Sequence, residues 1–215
     1  MHEHSQPIRP KQKIVHIQRT SNHSLHHAPP KKLSRNYLPL IFLIIFIALS
    51  SWGISRYFSY RAKKISAQNY TQGLADLTAG NFSEATKNLE KSIHSGNVTS
   101  DALLKLGVSK YNQKDYTGAI EAYAKVLERD PSHTTASNSL GNVYRDQKDF
   151  EKAKEQYQKT IGIDSSFAPA YANLSIMLLD LDQKKEALEI VRQGLEKIPE
   201  SMELKNIQTL LEPEE

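Results

Sequence analysis

The chain has 215 residues, of which 39% are hydrophobic and 24% charged, values of a globular protein rather than a fibrous or wholly disordered one. It contains no cysteine, which excludes disulfides, thiolate-bound zinc, iron–sulfur clusters and a cysteine nucleophile. The net charge of +4 is unevenly divided: residues 1–35 carry +6, residues 56–65 carry +4 and residues 66–215 carry −6. The basic excess therefore belongs to a tail and to the flank of an apolar stretch, and it does not mark a nucleic-acid-binding domain.

Residues 1–35 are rich in His, Pro, Ser, Lys and Arg and hold too few apolar side chains to pack, so they read as a disordered, solvated tail. His2, His4, His16, His23, His26 and His27 lie here, but no second ligand cluster with metal-site spacing accompanies them. No metal or other cofactor is expected. Residues 36–55 carry no charge, and residues 38–49 are apolar throughout apart from Pro39. At about 1.5 Å per residue such a helix reaches roughly 30 Å, the thickness of a bilayer core. A transmembrane helix is predicted over residues 36–57, with Tyr37 at one interface and Trp52, Tyr57 and Tyr60 at the other. A basic juxtamembrane helix over 58–65 would set Arg61, Lys63 and Lys64 among lipid headgroups. The competing reading is a cleaved signal peptide, since Ala48-Leu49-Ser50 has small-residue character. Bases close to the membrane are nearly balanced on the two sides. Arg9, Lys11, Lys13 and Arg19 tip the balance and place the N-terminus in the cytoplasm. The C-terminal part is then expected outside it, in a bacterium in the periplasm.

From residue 66 onward the sequence repeats every 34 residues without insertion, in units 66–99, 100–133, 134–167 and 168–201. One column holds Gly73, Gly107, Gly141 and Ser175; another holds Ala85, Ala119, Ala153 and Ala187. A third reads Leu89, Tyr123, Tyr157 and Val191, and a fourth Phe82, Tyr116, Phe150 and Lys184. Each unit reads as two amphipathic helices separated by a polar break, at Gly80-Asn81, Lys114-Asp115, Lys148-Asp149 and Asp182-Gln183. Small side chains allow two antiparallel helices to approach, and the bulky columns fill the space beside them. Pro131 and Pro199 end the second helix of their units. Beyond them Met202, Leu204, Ile207, Leu210 and Leu211 predict a last helix covering unit four, ended by Pro213 and an acidic tail through residue 215.

This pattern resembles the tetratricopeptide repeat family, above all in LGVSKYNQKDYTGAIEAYAKVLERDP and LGNVYRDQKDFEKAKEQYQKTIGID. Gln72 and Asn97 in unit one, and Ser175 and Lys184 in unit four, depart from it at the ends of the array. The resemblance implies an all-α fold, a right-handed superhelical solenoid of helix–turn–helix units, joined here to one transmembrane helix. It also implies a concave groove, lined by the first helices, that binds a protein or peptide. Shifting by 34 residues gives the groove positions, with Leu104, Val108, Tyr111, Asn138, Asn142, Arg145, Asn173 and Ile176 as candidates. Asn138, Asn142 and Arg145 share a helix face and could bond to the backbone of an extended ligand, or simply be solvated. The carboxylate clamp of chaperone-binding relatives does not map: its sites fall on Tyr70, Leu74, Lys105, Thr135 and Ser139, or on Leu104, Val108, Ser139, Pro169 and Asn173.

His94 and His133 fall at unit junctions without a serine–acid partner pattern, and the acid pairs Asp180/Asp182 and Glu128/Asp130 are two apart near helix ends. No phosphate-binding glycine loop occurs. The sequence therefore reads as a non-enzymatic, membrane-anchored scaffold for a protein or peptide partner, with assembly of an envelope complex as its setting. The alternative is a structural subunit of an oligomeric or permanent membrane complex, in which the chain associates with its own kind. Contact with nucleic acid is not expected.

Overall fold

The computed structural model describes residues 37–212, and the predicted basic tail and the acidic residues after Glu212 lie outside them. Among the described residues every regular element is helical: α1 Leu38–Thr78, α2 Phe82–His94, α3 Ser100–Asn112, α4 Tyr116–Arg129, α5 Thr134–Asp146, α6 Phe150–Ile163, α7 Ala168–Asp180, α8 Lys184–Lys197 and α9 Met202–Leu211. The described residues divide into two units, residues 37–49 and residues 50–212.

Helix α1 has 41 residues and opens with Pro39 in its first turn, where the missing N–H would have had no partner. Its apolar part reaches a mean hydropathy of 2.2 over 18 residues, none of them buried, so among the described residues one helix is long and apolar enough to cross a membrane. Leu40 and Phe42 are exposed in the first compact unit. In the second, Arg56 lies 5.2 Å from the centre of the Trp52 ring and Arg61 6.0 Å from that of Tyr57.

The repeat region is a solenoid of antiparallel helix pairs, α3 on α4, α5 on α6 and α7 on α8, each packing on the next. Its spacing is set where a small residue of a first helix meets a bulky one of the second. A Cβ on Gly107 would lie 2.5 Å from Tyr123 Cε1, one on Gly141 2.6 Å from Tyr157 Cε1, and one on Gly73 2.8 Å from Leu89 Cγ. Tyr123, Tyr157 and Leu89 are themselves fully buried. Ser175 departs from glycine because its opposite number, Val191, is shorter. The serine is buried and donates its hydroxyl back to the Ala172 carbonyl at 3.0 Å. Ala85, Ala119, Ala153 and Ala187 are all completely buried at these crossings.

The breaks within the pairs share one device. Gly80, Lys114, Lys148 and Asp182 have φ between 61° and 76°, a left-handed turn that stops the first helix. Asp115 and Asp149 then cap the second, accepting from Gly118 N at 2.9 Å and Lys152 N at 3.4 Å. Between pairs, Asp130 Oδ1 accepts from the backbone and hydroxyl of Ser132 at 3.0 and 2.6 Å, and Asp164 repeats this with Ser166 at 2.9 and 2.6 Å. These bonds, the hydroxyl's first, hold both carboxyls below the usual carboxylate range. Asp130, which the sequence shows only as an acid near a helix end, is thus a turn former. His133 also has a local task, its Nδ1 accepting from Ala136 N at 3.2 Å at the start of α5.

The two ends of the array are polar in different ways. At the first, Ser66 and Ser92 exchange hydroxyl-to-carbonyl bonds of 2.8 Å, and Asp76 accepts from Gln72 at 3.1 Å and Asn88 at 2.8 Å. At the last, α9 sits where a fifth first helix would. Leu204, Ile207 and Leu211 are buried against the core around Tyr171, Met177 and Val191. The positions matching buried Tyr171, Leu174, Ser175 and Leu178 are Lys205, Gln208, Thr209 and Glu212, so the face a further helix would cover is polar. Met202 and Leu210, expected to cover unit four, point outward instead at 66% exposure each.

Two predictions test this packing. Ala153→Leu and Gly141→Ala each overfill a crossing and are expected to cost about 1–3 kcal/mol. Glu155→Leu, on the exposed face of the same α6, should stay within about 0.5 kcal/mol. Thermal unfolding checks this, and equal midpoints for all three would contradict the register. The second concerns acid. Carboxyls held low in the fold stabilise it above their unfolded values, and that contribution disappears as pH falls below about 4 toward the folded values. The double variant Asp130→Asn with Asp164→Asn keeps the turn acceptor, so its melting temperature should fall less steeply between pH 4 and 2 than that of the unaltered chain.

Candidate inner-face binding site

The first helices α3, α5 and α7 lie side by side, α3 touching α5 and α5 touching α7. Leu104, Val108 and Tyr111 on α3 are half-buried and pack on the core of Ala119, Tyr123, Leu140 and Val143. Their helical spacing follows from the 34-residue register, which places Gly107 and Leu103 on the adjoining stripe of α3 that packs on α4.

Polar bonds join neighbouring first helices. Tyr111 donates its hydroxyl across to Asp146 Oδ2 on α5 at 2.5 Å, and Asp146 Oδ1 accepts from Arg145 Nε and Nη2 at 3.1 and 3.0 Å. Burial first, then the accepting carboxylate, push the Tyr111 hydroxyl up to about 12, so it stays a donor at neutral pH. Tyr70 of α1 makes a corresponding bond to Asp101 of α3. One step on, Asn173 Nδ2 of α7 donates to Asn138 Oδ1 of α5 at 3.2 Å. Asn138 is buried, at 7% exposure, rather than solvated.

Asn142 is tied to its own unit. Its Oδ1 accepts from the hydroxyl of buried Tyr157 at 2.7 Å, so it supports a packing column to which the sequence reading gave it no link. In unit two Val108 occupies the matching place, and Ser139 is the polar side chain near the Tyr123 hydroxyl. Burial drives the hydroxyls of Tyr123 and Tyr157 upward, which keeps both neutral. Among the described residues no buried side-chain polar atom lacks a partner. Asn142 Nδ2 and Asn173 Oδ1, which bond to no protein group, therefore open to solvent. Ile176 is 39% exposed beside them.

Of the eight candidates the structure thus links Tyr111 with Arg145 through Asp146, and Asn138 with Asn173. It leaves Ile176 with no partner of its own. The residues that sequence reasoning missed as participants are Asp146, which joins two helices, and Tyr157, which orients Asn142. Tyr157 had a readable signal, since a buried tyrosine needs a partner for its hydroxyl. Among the described residues no group of three or more His, Asp and Glu side chains is placed to hold a metal ion.

The comparisons agree with this architecture. The tetratricopeptide repeat family model matches residues 70–134 and 104–169. Solved structures similar in fold include MamA, at 24% identity over 62% of this chain and 78% of that one, with a TM-score of 0.57. YrrB, described as a TPR protein with an unusual peptide-binding site, is 18% identical over 67% and 74%, with a TM-score of 0.57. PilF of Pseudomonas aeruginosa is 21% identical over 70% and 68%, with a TM-score of 0.58. Among curated protein sequences there is no significant match. With the 34-residue register and the helix pairs in agreement with it, the family model's match identifies residues 70–169 of this chain as tetratricopeptide repeats.

Proposed function

We propose that the chain is a membrane-anchored scaffold whose inner face binds a protein or peptide segment during assembly of a complex in the cell envelope. The observation that carries this reading is the pair Asn142 and Asn173, each fixed by one protein hydrogen bond and each leaving one amide atom to solvent. A donor and an acceptor held in this way can pair with the N–H and C=O groups of an extended segment, which lose water on binding. Pre-orientation lowers the entropy cost of that pairing. The peptide-binding site described for YrrB supports the same use of this fold. The proposal assigns the chain no reaction.

Residues 66–201 act in this reading as four units, with residues 36–57 crossing the bilayer and residues 58–65 among the headgroups. Seven bases in residues 1–35 resist translocation, so the N-terminus stays in the cytoplasm and the repeats face away from it. A C-terminal alkaline phosphatase fusion is then expected to be active. An inactive fusion, with external protease trimming only the N-terminal tail, reverses the orientation.

The binding face is tested with a photo-crosslinking amino acid in the full chain in its own membranes. Adducts to another protein are expected from Val108 and Ile176 and not from Glu121 or Glu155 on the outer helices. Asn142→Asp keeps the acceptor for the Tyr157 hydroxyl but removes the outward donor, and should reduce the adduct while the melting temperature changes little. Adducts from the outer helices alone overturn the proposal, and adducts only to a second copy of the chain favour a self-associating subunit.

A further inference from the structure

Read at 34-residue intervals, one position of the first helices holds Leu74, Val108, Asn142, Ile176 and Leu210. It is apolar at both ends with a single amide at the centre. Ile176 and Leu210 are 39% and 66% exposed, and Val108 is half-buried. Two charges flank the centre in opposite senses. Lys105 stands one turn before Val108 on α3, and Asp180 one turn after Ile176 on α7. Neither enters an ion pair among the described residues, whereas the central Arg145 is already neutralised by Asp146.

Resting on the inner-face reading above, we infer that the partner is an extended protein segment with two apolar side chains about six residues apart, an acidic residue outside one and a basic residue outside the other. Two steps between packed helices separate Val108 from Ile176, roughly 20 Å at 8–10 Å per step. An extended chain covers that distance in about six residues at 3.3 Å each. The apolar side chains rest on Val108 and Ile176, the stretch between them meets Asn142 and Asn173 through its backbone, and the end charges meet Lys105 and Asp180. A helical ligand would not use the centre, because its backbone groups are already paired within the helix. The opposite end charges fix the direction in which the segment lies.

The test uses the full chain in detergent micelles and fluorescence anisotropy. The probe is a capped, fluorescein-labelled peptide, Glu-Leu-Ser-Asn-Ser-Asn-Ser-Leu-Lys. Replacing either leucine of the probe by serine should weaken binding about ten-fold. Replacing its lysine by glutamate should weaken binding about five-fold, and the exposed-site variant Asp180→Lys should reverse that preference. Absence of binding, equal binding of a probe without leucines, or an unchanged charge preference in Asp180→Lys overturns the inference. The two levels separate through Asn142→Asp. If peptides lacking the pattern bind and are lost in that variant, the inner face is a binding site of different specificity. If no bound peptide responds to it, the inner-face reading fails as well.

Discussion

The closest approach between paired helices governs the rest of this molecule. Where Gly107 faces Tyr123 and Gly141 faces Tyr157, an added Cβ would come within 2.6 Å of a ring carbon, so the two backbones are separated by the thickness of one aromatic ring. Protein interiors are packed densely enough that such a contact leaves no room for adjustment by sliding. The spacing within each pair then fixes the spacing between successive first helices, and with it the distances across the inner face. The pairs also compensate one another. Where the small residue grows from glycine to Ser175, the opposing residue shrinks to Val191, and the crossing remains closed.

Much of this was legible in the sequence because packing at a helix crossing constrains size, and size recurs at 34 residues. The glycine, alanine and tyrosine columns could be read directly, and so could the breaks and the proline stops. Hydrogen bonds between neighbouring first helices were less legible. Tyr111 and Asp146 are 35 residues apart, Asn138 and Asn173 also 35, and Tyr70 and Asp101 31. Such pairs do not share a column, so a search at one period passes over them. Asp130 and Asp164 escaped for a different reason. An acid near a helix end looks solvated until the serine two residues on is seen to close a turn upon it.

The ends of the array show what the interior supplies. In the middle, the second helices bury mostly apolar side chains, with Thr160 as a polar exception that donates its hydroxyl to the Gln156 carbonyl at 2.8 Å. At the first pair, Ser66, Ser92, Asp76 and Asn88 occupy comparable positions, and each buried polar group is matched by another. The contribution of such bonds is modest, about 0.5–1.5 kcal/mol each, but leaving one unmade would cost more. At the other end α9 solves a one-sided problem. It buries Leu204, Ile207 and Leu211 inward and presents Lys205, Gln208 and Thr209 where a further helix would have packed. A repeat array needs such an outer face if it is to stop without exposing its core.

The inner face and the core meet at Asn142. Its oxygen satisfies a hydroxyl that burial of Tyr157 would otherwise leave unpaired, and this bond orients the amide nitrogen toward solvent. The same tyrosine ring is what excludes a side chain at position 141. Packing, hydrogen bonding and the direction of an outward donor are therefore consequences of one residue choice in the bulky column. Unit two shows the contrast: Tyr123 fills the same space, but Val108 stands where Asn142 would. The core is thus kept constant from unit to unit while the inner face changes from apolar to polar, because the tyrosine ring fills the crossing whether Val108 or Asn142 stands beside it. That separation lets a periodic core carry a non-periodic surface, as recognition of a specific partner requires.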